Sequence, residues 1–181
     1  MLGDAMKALL LLADGFSETD AFTVVDILRR VNADIIIASI SSSVVTGMNK
    51  TKIIADKKIE EIDPYSYDLL ILPGGSGYKN LLNSNKVIEL VKNFNKKKKY
   101  IAAMCESPAI LAEAGIMDDK IATINPGWEN KLPKPRDARV VVARNVITSR
   151  TSSDSLDLAL KLAEIMTSKK VADRLRKSFL I

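Results

Sequence analysis

Short apolar runs alternate along this chain with stretches whose apolar residues recur every three to four positions. Lys7–Ala13 (KALLLLA), Asp34–Ser39 (DIIIAS), Leu69–Leu72 (LLIL) and Tyr100–Met104 (YIAAM) read as strands. Ile121–Ile124, Val140–Ala143 and Val146–Ser149 read the same way. The helical period falls on Thr19–Val31, Lys86–Asn95, Ser107–Ala114 (stopped by Gly115 as a C-terminal cap) and Ser155–Thr167. Val44–Val45 and Lys52–Ala55 predict a small hairpin, and Gly127–Pro135 (GWENKLPKP) a long surface loop. Uninterrupted apolar strands alternating with helices predict a three-layer α/β sandwich, its mostly parallel sheet covered on both faces. No repeat or linker interrupts the pattern.

Composition narrows this without changing it. A chain of 181 residues, 47% hydrophobic and 27% charged, fits one globular domain spanning 1–181 with a sizeable core. No apolar run approaches the roughly 20 residues of a membrane span. Ala8–Ala13 is too short for the core of a signal peptide and lacks a cleavage site, so it reads as a buried first strand. A single cysteine makes no internal disulfide, and the cytoplasm is the expected location. Residues 1–5 (MLGDA) read as an expression remnant ahead of a native start at Met6. The net charge of +5 comes from blocks such as Lys96–Lys99 and Lys169–Lys177. No aromatic or motif context joins these blocks, so nucleic acid is not an expected partner.

In a parallel sheet, ligands bind beyond the carboxyl ends of the strands. Three segments arrive there: Asp14–Asp20, Pro73–Gly77 and Cys105. Lone cysteines are mostly buried and inert. Cys105, however, stands between a strand and a helix among small neighbours (Ala102, Ala103, Ser107, Ala109), with Pro108 suited to the helix start. That is the layout of a nucleophile elbow, and the helix N-terminus behind it predicts a depressed thiol pKa, with Glu106 working against it. The turn LPGGSGYKN is not a phosphate-binding motif. It is either a flexible turn or a set of backbone N–H groups around Gly74 and Gly75 that hold an oxyanion. The chain contains no histidine, which excludes histidine-ligated metal and leaves peptidase or amidotransferase chemistry without its usual base. Carboxyl groups remain. In GFSETDAF, Ser17 and Asp20 could be a helix cap, or Glu18 or Asp20 could reach the thiol.

Taken together, ETDAFTVVDILRR, YDLLILPGGSG, IAAMCESPAIL and ITSR resemble the ThiJ/PfpI (DJ-1/PfpI) superfamily over nearly the whole chain. The likeness is closest to its Parkinson-disease-linked deglycase branch. The resemblance implies a flavodoxin-like α/β sandwich, a homodimer and no cofactor. It implies Cys105 as nucleophile, the N–H groups of Gly75 and Glu106 as oxyanion donors, and Asp20 in place of the family's usual Glu. Being a methylene shorter, Asp20 is expected to make a longer bond to the thiol. Asn125 stands where the family often has His before a proline, and Thr151–Ser153 (TSS) replaces its G-P-G. Lys50 on the hairpin, and Arg30 from a dimer partner, could supply basic groups near the thiol. The implied activity is hydrolysis of small α-oxoaldehydes or of their adducts on glycated protein. The alternatives are a non-enzymatic redox-responsive stress protein or chaperone with an oxidisable Cys105, and a structural relic with an inert thiol. The Phe22–Val31 helix, with Arg29 and Arg30, is the expected two-fold interface.

Overall fold

The computed structural model describes residues 6–179; the supposed remnant at 1–5 lies outside them. Its centre is β1 (Lys7–Leu12), in which every residue after Lys7 is buried. Alternate side chains of a strand point to opposite faces. Leu10 and Leu12 therefore enter a core under α1 (Glu18–Arg30) and α5 (Ser155–Met166). Leu9 and Leu11 enter a second core under α3 (Asn85–Lys96) and α4 (Pro108–Glu113). The other strands of the main sheet are β2 (Asp34–Ser39), β5 (Lys57–Lys58), β6 (Leu69–Leu72), β7 (Tyr100–Met104), β8 (Val140–Ala143) and β9 (Val146–Ser149). Their order is β5-β2-β1-β6-β7-β9-β8, and only β8 runs antiparallel to its neighbour. This is the flavodoxin-like α/β architecture expected.

Sequence order leaves β1 first for β2 and later for β6 on its other side, so the switch in direction lies between β1 and β6. The carboxyl ends of β1, β6, β7 and β9 share one edge, and the loops after them meet there. A separate hairpin, β3 (Val44–Thr46) and β4 (Lys52–Ile54), leans over that edge through Gly15 N–H to Thr46 O at 2.7 Å and Met48 N–H to Phe16 O at 2.9 Å.

Ile121–Ile124 is not a strand. The place beside β9 is taken by β8, so the segment pairs with its own loop, Arg136 N–H donating to Ala122 O at 2.8 Å. Two helices have no counterpart in the hydrophobic pattern, α2 (Tyr78–Leu82) and α6 (Lys169–Ser178). In α6 the lysines and arginines mask the helical spacing of Val171, Ala172 and Leu175, although Ala172 is buried and Leu175 and Phe179 pack on the α1–α5 core. The expected interface helix also reads differently. Val24, Val25, Ile27 and Leu28 belong to this chain's own core. Three exposed apolar side chains cluster instead on the hairpin, Val44 at 48%, Met48 at 49% and Ile54 at 78% exposure, while Tyr65, Ile121 and Val142 are exposed elsewhere.

Candidate active site

The loop after β1 and the loop after β6 are sewn together by their backbones. Ser17 N–H donates to Gly74 O at 2.8 Å, and Gly77 N–H to Gly15 O at 2.8 Å. Side chains do not fit inside this seam. A Cβ on Gly74 would lie 2.4 Å from Cys105 Cβ and 2.9 Å from both Asp20 Oδ2 and Glu106 Oε2. Gly75 has φ +91°, and a Cβ there would meet Ser17 N at 2.5 Å. The L-P-G-G turn is therefore glycine by necessity, and three reactive groups converge on the bare face of Gly74.

Cys105 follows β7 with φ 55°, a left-handed backbone that costs a non-glycine residue about 1–2 kcal/mol. The surroundings hold it there. Its N–H donates to Ser149 O at 3.1 Å, its carbonyl accepts from Asn125 N–H at 2.9 Å, and Ser107 Oγ ties the next turn to Pro73 O at 2.6 Å. The elbow points the thiol back over the sheet edge, where it is 4% exposed. Sγ donates to Asp20 Oδ2 at 3.1 Å and contacts Ser152 Oγ at 3.4 Å.

Ser17 caps α1, its Oγ accepting from Asp20 N–H at 3.3 Å. The Asp20 side chain does not complete a capping box. Fully buried, it accepts instead from Gly74 N–H at 2.9 Å, Ser155 Oγ at 2.9 Å and the thiol. The short side chain makes no long contact, because α1 brings its first turn directly against the elbow.

The electrostatics reverse the sequence expectation for the thiol. Burial, and then the neighbouring Asp20 carboxylate, push the Cys105 pKa up; the Ser152 hydroxyl pulls it back, and the Glu106 charge adds to the rise. The helix expected to favour a thiolate is only six residues long and begins three positions after the cysteine. A dipole that small, behind two carboxylates, does not win.

Gly75 N–H, expected to be an oxyanion donor, points at Glu106 Oε2 at 3.1 Å, and Asn125 Nδ2 donates to Glu106 Oε1 at 2.8 Å. The Glu106 N–H carries no hydrogen bond among the described residues. Glu18 turns away from the thiol. Its carboxylate accepts from Asn49 N–H at 2.8 Å, Asn49 Nδ2 at 3.1 Å and Thr51 N–H at 3.4 Å, fixing the hairpin tip. Partial desolvation raises its pKa, but these N–H groups outweigh it and the net shift is downward. Lys50 sits exposed at that tip with φ 73°. Arg30 ends α1, pairing with Asp26 at 2.9 Å and covering the Phe179 ring at 5.3 Å. Neither basic group touches the thiol within this chain. A cleft of about 800 Å³ bordered by Asn95, Tyr100, Lys120 and Asn145 lies at the opposite edge of the sheet.

Residues 6–165 match the model of the DJ-1/PfpI family. The chain belongs to the DJ-1/PfpI family. It is 34% identical to Protein DJ-1 homolog B of Arabidopsis thaliana over 94% of this chain but only 40% of that protein's length. A protein named Deglycase PYRAB04690 from Pyrococcus abyssi is 29% identical over 82% of this chain and 92% of its own. The structure of oxidized Toxoplasma gondii DJ-1 superposes with a TM-score of 0.92 at 29% identity, covering 97% of this chain and 98% of that one. This DJ-1/PfpI chain thus spans less than half of the Arabidopsis relative.

Two site residues escaped sequence reasoning, Ser152 and Ser155. Ser152 arrives on a short 3-10 turn whose partner Asp154, 1% exposed, accepts from Thr151 N–H at 3.1 Å and from Arg139 Nε at 2.7 Å. The TSS that replaces the family's G-P-G was the available signal, but its meaning depends on which hydroxyl faces the sulfur.

The thiol should therefore alkylate slowly near neutrality. Its iodoacetamide profile should have a midpoint above the ordinary value of about 8.5. Asp20→Asn should move that midpoint down, by replacing a negative acceptor with an amide donor, and Ser152→Ala should move it further up. A wild-type midpoint below pH 8 would contradict this account. Because the folded thiol keeps its proton longer than the unfolded one, its contribution to stability is complete below the ordinary thiol pKa and is lost as pH rises above it.

Glu18→Gln should leave that profile unchanged and speed hydrogen exchange at Asn49 and Thr51. In the wild type, the same loosening should appear as pH falls below the ordinary carboxylate range of about 4, because the lowered folded pKa contributes stability only above it.

Proposed function

We propose that this chain is a cofactor-free, cysteine-dependent hydrolase of α-oxoaldehydes or of their protein adducts, with methylglyoxal as the simplest substrate and lactate as product. One observation carries the reading: the only cysteine places its Sγ 3.1 Å from an oxygen of the fully buried Asp20 carboxylate and donates to it. As Sγ bonds the aldehyde carbon, the thiol proton passes to Asp20 Oδ2. The developing oxyanion sits against the Glu106 N–H, and Asp20 then returns the proton to it, leaving a neutral hemithioacetal. A base poised beside the thiol makes a standing thiolate unnecessary, and no histidine is needed. The deglycase name carried by the Pyrococcus relative supports the same substrate class.

The redox reading keeps one observation in its favour, the oxidized state of the Toxoplasma DJ-1 structure. Peroxide reacts with thiolates, however, and this site holds its sulfur protonated. Hydrolysis is therefore the reading that fits the electrostatics.

Wild-type protein should convert methylglyoxal to lactate, and Cys105→Ser should not. Asp20→Asn should lose about 10²–10⁴-fold in turnover, the usual worth of a positioned base, while its thiol alkylates faster. Undetectable lactate from the wild type, together with clean addition of oxygen to Cys105 under peroxide, would replace hydrolysis with the sensor reading.

The exposed Val44, Met48 and Ile54 of the hairpin support a homodimer built across that face. Light scattering should give twice the 19.8 kDa chain mass, and Ile54→Lys should return the monomer. A monomeric wild type at micromolar concentration would remove the interface from the account.

A further inference from the structure

Glu106 has a side chain that the proposed addition step leaves idle. Directly after the nucleophile, it is partly buried, with Oε1 accepting from Asn125 Nδ2 at 2.8 Å and Oε2 from Gly75 N–H at 3.1 Å. No lysine or arginine pairs with it among the described residues. Two carboxylates thus flank Cys105, and a Cβ on Gly74 would lie 2.9 Å from an oxygen of each.

Their surroundings differ. Asp20 has no exposure, and its oxygens are engaged by a backbone N–H, a serine hydroxyl and the thiol itself. It faces inward and can trade a proton only with the sulfur and what the sulfur binds. Glu106 stands on the solvent side, each oxygen holding one donor and keeping lone pairs free for a substrate atom. Asn125 cannot titrate, so it orients the carboxylate.

An α-oxoaldehyde bound to Cys105 needs a second base. After addition, C1 carries the sulfur, a hydroxyl and one hydrogen, and C2 is still a ketone. To become lactate, C1 must lose that hydrogen and C2 must gain one. Sulfur addition does neither, and the chain has no histidine to do it.

We propose, resting on the hydrolase reading, that the Glu106 carboxylate is a second catalytic acid–base group that carries the C1 hydrogen of the Cys105-bound substrate to C2. The carboxylate takes the hydrogen as a proton, the C–H electron pair becomes the C1=C2 bond of an enediolate, and the C2 carbonyl pair moves onto its oxygen. The protonated Glu106 then delivers its proton to C2, while the C1 hydroxyl proton passes to the C2 oxygen. C1 is oxidised and C2 reduced by the same two electrons, so no external oxidant enters. The product of this step is the lactoyl thioester of Cys105. Water cleaves it to lactate and restores the thiol.

Glu106→Gln tests the step, because its amide oxygen can still accept from Gly75 N–H and its new NH2 can donate to Asn125 once the Asn125 amide turns over, which preserves the local structure. Lactate formation should fall about 10²–10⁴-fold. Methylglyoxal should still add to Cys105, read as protection of the thiol from alkylation and as added mass under native conditions. In D₂O, exchange of the aldehyde hydrogen, followed by proton NMR, should be catalysed by the wild type and lost in the variant, and Glu106→Asp should recover part of it. A Glu106→Gln variant that turns over at the wild-type rate overturns the proposal. So does one that turns over faster, since Glu106 would then merely block the Gly75 N–H. A wild type that exchanges the hydrogen without making lactate fails the hydrolase reading yet upholds Glu106 if Gln abolishes the exchange. A wild type that does neither overturns both.

Discussion

A carboxylate with no contact to water must be matched by donors, and Asp20 is matched from three separate segments. Gly74 N–H comes from the loop after β6, Ser155 Oγ from the start of α5, and the Cys105 thiol from the elbow after β7. Its own N–H completes the cap of α1 on Ser17. Removing any one partner leaves a buried charge short of donors, which is far costlier than losing a surface hydrogen bond. The edge of the sheet is thereby locked around one side chain. The glycine at 74 and the left-handed cysteine at 105 are what that lock requires of the backbone.

That constraint also sets the chemistry. A strand-to-helix elbow can serve to make a thiolate, yet here the sulfur is buried and faces negative charge. Its proton is held rather than shed. A thiol with a raised pKa is a weaker nucleophile near neutrality than a thiolate, so the site does not itself supply a standing thiolate. Ser152 is, among the described residues, the one hydroxyl in contact with the sulfur, and it moderates the effect without reversing it. The chain's positive charge plays no part at the thiol: Glu18, Asp20 and Glu106 all lie near this edge, and no lysine or arginine contacts the sulfur among the described residues.

The layout of the site was legible because it rests on local pattern. Cys105 follows an apolar strand with small residues and a proline behind it. Asp20 opens a helix after the first strand, and parallel topology brings both ends together. Five strands, at Asp34, Leu69, Tyr100, Val140 and Val146, begin and end where hydrophobic runs do. What pattern could not supply was competition through space. Ile121–Ile124 has the composition of a strand but no vacant neighbour, since β8 already pairs with β9. Val24, Val25, Ile27 and Leu28 could equally have faced a partner or this chain's own core, and only the packing of α5 against α1 assigns them inward. The direction of the thiol's shift is illegible for the same reason. A helix N-terminus is visible in sequence, whereas a carboxylate arriving from 85 residues away is not.

Glu18 and Asp20 make the same point at closer range. They stand two residues apart on the first turn of α1, chemically alike and equally able on paper to meet the thiol. A helix turns about 100° per residue, so positions two apart face nearly opposite sides. Asp20 is turned into the sheet edge, where its donors are Gly74 N–H, Ser155 Oγ and the Cys105 thiol. Glu18 is turned outward beneath the hairpin, where it takes the N–H groups of Asn49 and Thr51 and packs against Gly47, so that a Cβ there would have to push the carboxylate aside. One carboxylate holds the hairpin over the site and the other accepts a hydrogen bond from the thiol. The division of labour follows from helical geometry alone, before any difference between aspartate and glutamate is considered.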